Sequence, residues 1–354
     1  MNVILIFSVL ILISIAIWQV TKIFELSQGK KVYTQVADDS DNNWNGKLMF
    51  GFLFFIYGIT IFSFLSYGDV LLPDAASEHG SEYDNLMWIS FAIIFVVQTV
   101  TQALLHYFSY KFRGEKGKKA LFYADNDRLE AIWTIIPVFV LAGLILYGLY
   151  TWTDIMTVEE NDEALVVELY AQQFNWKARY AGEDGVLGDA NVRFLQDFDG
   201  RNLVGIDATD PNGFDDVVVQ ELHLPVGREA IFKMRSQDVL HSAYMPFFRA
   251  QMNCVPGMIT EFAFTPNKTT EEMRQDPDVV AKVKKINKIR SQKSKELIAK
   301  GDTALDPYEF DFLLLCNKIC GASHYNMQMK IIVESPEEYA KWMADQQTFA
   351  EVIQ

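Results

Sequence analysis

The hydrophobic and polar pattern divides the chain into two unlike halves. Four uncharged apolar stretches, residues 2–19, 48–67, 86–108 and 131–152, each have the length at which an α-helix crosses the hydrocarbon core of a bilayer. The pattern predicts four transmembrane helices, the first read as a retained helix because no Lys or Arg precedes it and no small-residue cleavage site follows. From about Asp154 the texture changes to short β-rich runs broken by Gly, Asn, Asp and Pro, at 165–169, 175–180, 217–222, 230–234, 258–264, 310–315 and 330–333. Closely spaced short strands predict an antiparallel sandwich or barrel. The chain closes with a predicted helix over about 336–349, with Ser335 as N-cap, Pro336 in the first turn and Glu338 completing a capping box. The expected division is a membrane region at 1–152 and an extramembrane domain at 153–354, interrupted at about 266–307 by a helical insertion.

Charge sets the orientation. The first link carries Lys22, Lys30, Lys31 and Lys47, and the third carries Lys111, Arg113, Lys116, Lys118, Lys119 and Arg128, whereas residues 68–85 carry no Lys or Arg. Positive loops stay cytoplasmic, so both termini and the C-terminal half are expected outside, in the periplasm of a bacterial inner membrane. The 354 residues carry a formal charge of −15, which disfavours nucleic-acid binding. Residues 154–261 hold nineteen acidic and eight basic residues, while residues 268–300 reverse the sign with ten basic and five acidic. That basic helix is either a solvated surface or a docking element.

The chemistry concentrates in residues 316–327, where Cys316, Cys320, His324 and Met327 fall within one short segment. All four are soft or borderline donors, a set that suits copper and, less well, zinc. Two thiolates four residues apart can bridge two metal ions, with His and Met each capping one. A disulfide between the two cysteines, a structural zinc and two merely structural cysteines are the competing readings. His241, after a predicted strand, is the candidate second imidazole, and His79, His106 and His223 are weaker.

The pattern Cys-x-x-x-Cys-Gly-x-x-His-x-x-Met, preceded upstream by Asp-Val-Leu-His-Ser at 238–242, resembles subunit II of the haem–copper cytochrome c oxidases. Residues 126–137, Asn-Asp-Arg-Leu-Glu-Ala-Ile-Trp-Thr-Ile-Ile-Pro, are similar to the opening of that family's second helix. The resemblance covers about residues 85–339 without the basic insertion. It implies an all-β cupredoxin-like Greek-key sandwich holding a dinuclear copper centre, CuA. Cys316 and Cys320 would bridge both coppers, His241 and His324 would each bind one, and Met327 and the main-chain carbonyl of Lys318 would complete the set. The chain would accept electrons from cytochrome c, or from a tethered cytochrome c domain, and pass them to a haem-bearing catalytic subunit I that reduces O₂ and pumps protons. Other oxidase subunits and membrane lipid would be its neighbours, and haem would belong to the partner alone. Glu130 would stand at a cytoplasmic proton-uptake point. A quinol oxidase subunit, which lacks the copper cysteines, a CuA subunit of a nitric-oxide reductase and a non-enzymatic membrane copper-binding protein are the alternatives.

Several positions depart from the family pattern. Lys318 stands where Glu is common; its carbonyl survives, but an ammonium cannot ligate Mg²⁺, so a neighbouring Mg²⁺ site is expected to be absent or rebuilt. Phe174 occupies the place of the Trp that takes the electron from cytochrome c, while Trp176 is retained. The two extra N-terminal helices and the basic insertion suggest contacts to another respiratory complex or a dedicated donor. Cys254 matches no ligand position and reads as a small buried hydrophobe.

Overall fold

The computed structural model describes residues 2–28, 38–159 and 161–354. Four helices come first: α1 (Asn2–Gln28), α2 (Asp39–Tyr67), α3 (Gly80–Lys111) and α4 (Asp127–Met156). Among the described residues, α2, α3 and α4 are long and apolar enough to span a membrane, and α1 contributes a shorter apolar run, Ile11–Phe24. Three of the four expected spans are thus shown among the described residues, and at the place of the first stands α1, a helix with a shorter apolar run. Lys30 and Lys31 lie outside the described residues. Apolar side chains such as Phe139 and Leu146 on α4 are 75% and 67% exposed. A helix that is apolar all round and uncovered by its own chain belongs in lipid or against a partner.

Two compact units divide the chain, Met1–Gly58 with Thr99–Tyr123, and Ile59–Gln98 with Ala124–Gln354. In the first, Tyr57 Oη donates to the Thr99 carbonyl at 2.7 Å and the Lys116 amide donates to Asp39 Oδ1 at 2.6 Å. His106 sits buried here, its Nδ1 2.8 Å from the Gln102 carbonyl.

The second unit contains ten strands: β1 (Leu165–Gln172), β2 (Asn175–Tyr180), β3 (Val217–Val219), β4 (Leu222–Pro225), β5 (Ala230–Ser236), β6 (His241–Met245), β7 (Ala250–Cys254), β8 (Thr260–Phe264), β9 (Phe312–Cys316) and β10 (Gln328–Glu334). They form two five-stranded sheets, β3-β2-β1-β5-β8 and β4-β10-β9-β6-β7. Inward residues of both, among them Val167, Leu169, Phe232, Leu314 and Ile331, close one core. The sheets are mixed rather than antiparallel: β1 pairs with β5 and β10 with β4 in parallel. The cause is a crossover. Residues 217–222, expected as one strand, split at Gln220–Glu221, so that β3 stays in one sheet and β4 joins the other before the chain returns as β5.

The insertion forms α5 (Thr270–Gln275), capped by Thr269 with Glu272, and α6 (Pro277–Ala299), capped by Asp276. The C-terminal helix is two helices, α7 (Pro336–Ala344) and α8 (Phe349–Ile353), because a second capping box, Thr348 with Glu351, restarts the chain after Asp345. Trp342 of α7 stacks on His223 at 3.8 Å, and His223 Nδ1 lies 2.8 Å from Glu334 Oε1, so this imidazole is a satisfied core group.

Residues 73–84 tie the sandwich to the start of α3. Ser77 Oγ donates to the Phe248 carbonyl at 2.7 Å, and His79 is wedged against Phe262 and Phe264, where burial pulls its pKa down. Arg249, in the left-handed region at φ 53°, donates to both carboxylate oxygens of Asp84 at 2.8 and 2.7 Å and to the Pro73 carbonyl. A bidentate guanidinium–carboxylate pair fixes orientation as well as distance.

A buried ionic network holds the 181–216 excursion on the other face of the β1–β2–β5 sheet. Arg179 Nε lies 2.8 Å from Glu168 Oε2 and 3.6 Å from Asp216 Oδ2, its Nη2 donates to the Gly188 carbonyl, and Arg235 pairs with Glu168. Burial pushes the Asp216 carboxyl from its ordinary 3.8 up to about 7, against the pull of Arg179. A carboxyl raised on folding favours the native state while protonated and weakens it as pH rises through the folded value. Relative to Asp216→Asn, the wild-type chain should lose stability as pH rises from about 4 to about 7. Denaturant midpoints of both proteins across that range check this, and a difference that stays constant with pH would contradict it.

Candidate metal centre

The geometry of the centre follows from strand pairing. β6 lies between β7 and β9, with His241 opposite Cys254 and Ala243 opposite Cys316. The starting end of β6 and the finishing end of β9 thus meet at one end of the sandwich. From Cys316 the chain makes a loop that returns at Met327, closed by the Cys316 amide donating to the Met327 carbonyl at 3.1 Å. The Asn317 amide donates to the Ser242 carbonyl at 3.1 Å, pinning the loop to the strand that carries His241. A short 3-10 turn, His324–Asn326, presents the second imidazole.

Six sequence-predicted groups converge here. Cys316 and Cys320 are free thiols with Sγ atoms 3.8 Å apart. His241 Nδ1 lies 3.8 Å from Cys316 Sγ, and His324 Nδ1 lies 3.6 Å from Cys320 Sγ. Met327 Sδ is 3.7 Å from Cys320 Sγ, and the Lys318 carbonyl is 3.2 Å from Cys316 Sγ, while the Lys318 side chain is exposed. The ligand atoms of His241, Cys316 and Cys320 lie within 4.8 Å of one another, a spacing that can hold a metal ion. His241 and Ser242 are fully buried, Cys320 and Met327 nearly so, and Cys316 and His324 half-buried. Burial, with the Cys316 thiol beside it, pushes the Cys320 thiol up to about 11. A thiolate there needs a cation to offset the loss of solvent.

Supporting contacts fix the donors. Asp238 Oδ1 accepts from His241 Nε2 at 2.9 Å, which turns Nδ1 toward the sulfurs. The Asp238 carboxyl lies below its usual range although burial opposes this, because His241 and the Gln173 and Val239 amides donate to it. Gln173 Nε2 donates to the Cys320 carbonyl at 2.5 Å. Trp176, fully buried, meets the His241 ring edge-on at 6.2 Å. Phe174 is half-buried and its ring closes over Gly321. Two side chains on the loop, Ile319 and Tyr325, are 88% and 87% exposed. The supporting roles of Asp238 and Gln173, and this exposed apolar pair, emerge only with the structure. Asp238 was visible in principle, three residues before His241, but Gln173 becomes a neighbour only through the fold. Glu130 lies away from the centre, exposed in the first turn of α4, where the Asn126 side chain caps the helix. Cys254 is fully buried, and burial pushes its thiol up to about 12, in keeping with a core role.

A family described as "Cytochrome C oxidase subunit II, transmembrane domain" matches residues 66–151. An alternative cytochrome c oxidase subunit 2 from Bradyrhizobium diazoefficiens is 32% identical over 75% of this chain and 81% of its own length. A cytochrome c oxidase subunit 2 from Thermostichus vulcanus is 22% identical over 82% of this chain and 84% of its own. The periplasmic domain of subunit II of cytochrome oxidase from Bradyrhizobium japonicum superposes with a TM-score of 0.30 at 18% identity, covering 53% of this chain and 95% of that one, an overall likeness too low to carry weight.

Gly321 is the tightest point of the loop. At φ 142°, an added Cβ would come within 2.8 Å of Gln173 Nε2 and of the Phe174 ring. Gly321→Ala should therefore cost about 1–3 kcal/mol of stability. Denaturant unfolding of the metal-free chain checks this, and an unchanged midpoint would show that the loop is looser than described.

Proposed function

Since the chain belongs to the cytochrome c oxidase subunit II family, we propose that its extramembrane domain holds a dinuclear copper centre and is the electron-accepting module of a haem–copper oxidase. The observation that carries this is the pair of free thiols 3.8 Å apart, each with an imidazole Nδ1 at 3.6–3.8 Å. Thiolates, imidazoles and a thioether are the donors copper prefers, and the residues present fit the group. Cys316 and Cys320 would bridge, His241 and His324 would each take one ion, and Met327 and the Lys318 carbonyl would be the weaker ligands. When bound, such a pair supplies one-electron storage with little change in geometry.

The surrounding residues then have distinct tasks. Asp238 and Gln173 hold His241 and the Cys320 main chain in register, so donors are in place before metal arrives. With six donors converging on a largely buried site, no open position is left for substrate, which suits electron transfer rather than bond chemistry. Ile319 and Tyr325 offer a small apolar contact beside the centre. The excess of acidic residues over 154–261 would steer a basic carrier, cytochrome c or a tethered cytochrome c domain, with a rate that falls as salt rises. Trp176 against His241 and the Phe174 ring over Gly321 are the aromatic groups by which an electron would reach the site. Oxygen reduction and proton pumping would belong to subunit I.

In the membrane, α1 would add a fourth crossing, placing both termini and the β-domain on the periplasmic side of a bacterial inner membrane. α4 is 30 residues long and its far end leads into β1, so Glu130 would lie at the cytoplasmic surface, where it could serve proton uptake. The extra helices would face another membrane complex or a donor protein. The Lys318 ammonium leaves no ligand for Mg²⁺ at that position.

Replacing Cys320 with Ser, or His241 with Ala, in the copper-loaded full-length protein should abolish the thiolate-to-copper absorption, while Phe174→Trp should leave it intact. Optical spectra of the three variants decide this. Retention of the full absorption in Cys320→Ser would exclude the bridging role.

A further inference from the structure

Helix α6 reverses the charge of the domain that carries it. Its 23 residues include seven basic side chains, at 282, 284, 285, 288, 290, 293 and 295, against Asp278 and Glu296. One face is committed to the domain. Val279 and Ser294 are buried, Asn287 exchanges hydrogen bonds with the Tyr308 main chain, Arg290 Nε donates to the Asp306 carbonyl, and Ser294 Oγ accepts from the Leu305 amide. A neighbouring face is different. Lys282, Ile286, Ile289 and Lys293 follow one another at i, i+4, i+7 and i+11, which aligns them in a single stripe along the helix. Ile286 and Ile289 are 37% and 64% exposed.

The stripe begins beside a membrane span. Lys282 Nζ donates to the carbonyl of Leu71, four residues beyond the end of α2 at Tyr67. Val70, Leu71 and Leu72 are themselves exposed, at 71%, 52% and 42%. Three uncovered apolar residues in a row next to a span are costly in water and ordinary at the boundary between headgroups and acyl chains. The same holds for Ile286 and Ile289 flanked by lysines, since lysine stems lie along apolar surface while the ammonium reaches up to a phosphate.

We propose that the Lys282–Lys293 stripe of α6 rests on the leaflet facing the β-domain and binds the headgroups of anionic phospholipids. Charge complementarity selects them. The domain around the helix is acidic and repels an anionic surface, so a basic helix placed at the exit of α2 offsets that repulsion where the domain comes nearest the bilayer. The Arg249–Asp84 pair, at the start of the next span, fixes the sandwich at the same level. The inference depends on α2 spanning a membrane and is independent of what the metal centre binds.

The test uses the full-length chain in nanodiscs of phosphatidylcholine with and without phosphatidylglycerol. Acetylation rates at single lysines are read by peptide mass spectrometry, with Lys318 on the metal-centre loop as the internal reference. Phosphatidylglycerol should slow labelling of Lys282 and Lys293 by at least about fivefold and leave Lys318 unchanged. In native mass spectrometry, K282E/K293E should lose the phosphatidylglycerol that the wild type retains, whereas K284E/K295E, on the opposite flank, should keep it. Equal labelling in both discs would overturn the proposal. So would protection that appears only when partner subunits are added, whatever the lipid, because the stripe would then be a protein interface. The wild-type labelling decides the matter even if a variant misfolds.

Discussion

Two sulfur atoms held side by side at one end of a sheet constrain nearly everything else in the extramembrane domain. Burial raises the cost of ionising the Cys320 thiol, and the Cys316 sulfur 3.8 Å away adds to it, so a thiolate at Cys320 calls for a cation beside it. The site must therefore present its remaining donors inward and exclude water, and the sandwich supplies both conditions. β6 and β9 are neighbours, so His241 reaches Cys316 across a strand pair, and the Cys316–Met327 main-chain bond closes the loop that brings His324 to Cys320. Moving the β6–β9 register by one residue would turn His241 to the other face of its sheet and dismantle the set.

The same economy explains how the domain meets the membrane. The strand that starts at His241 leads through a turn to Arg249, whose guanidinium grips Asp84 at the start of α3, so one hairpin carries a candidate metal ligand at one end and a tie to α3 at the other. Ser77 and His79 fill the space between span and sandwich. The chain uses short-range, buried polar contacts here, which fix orientation better than apolar packing alone.

Much of this was legible in the sequence. Apolar length points to α2, α3 and α4, and the density of soft donors between Cys316 and Met327 points to the cluster that the fold brings together with His241 as a candidate metal centre. What failed was read from periodicity. β6, His241–Met245, is buried at nearly every position and shows no alternation, and β7, Ala250–Cys254, alternates over only five residues after the Pro246–Phe248 turn. The split of 217–222 between two sheets is a tertiary event that no local pattern records. Gln173 lies 147 residues from the carbonyl it serves. Phe174 and Trp176 stand out by resemblance alone, and only the fold separates them, one against the Cys316–Met327 loop and one buried behind His241.

The central claim is that two coppers share one electron between the thiols of Cys316 and Cys320. Electron paramagnetic resonance of the oxidised, copper-loaded full-length protein, with copper counted on the same sample, addresses it most directly. The account predicts two coppers and one unpaired spin per chain, with hyperfine splitting from both nuclei. A spectrum of one isolated copper, or a chain that stays copper-free with its two thiols joined, would contradict it.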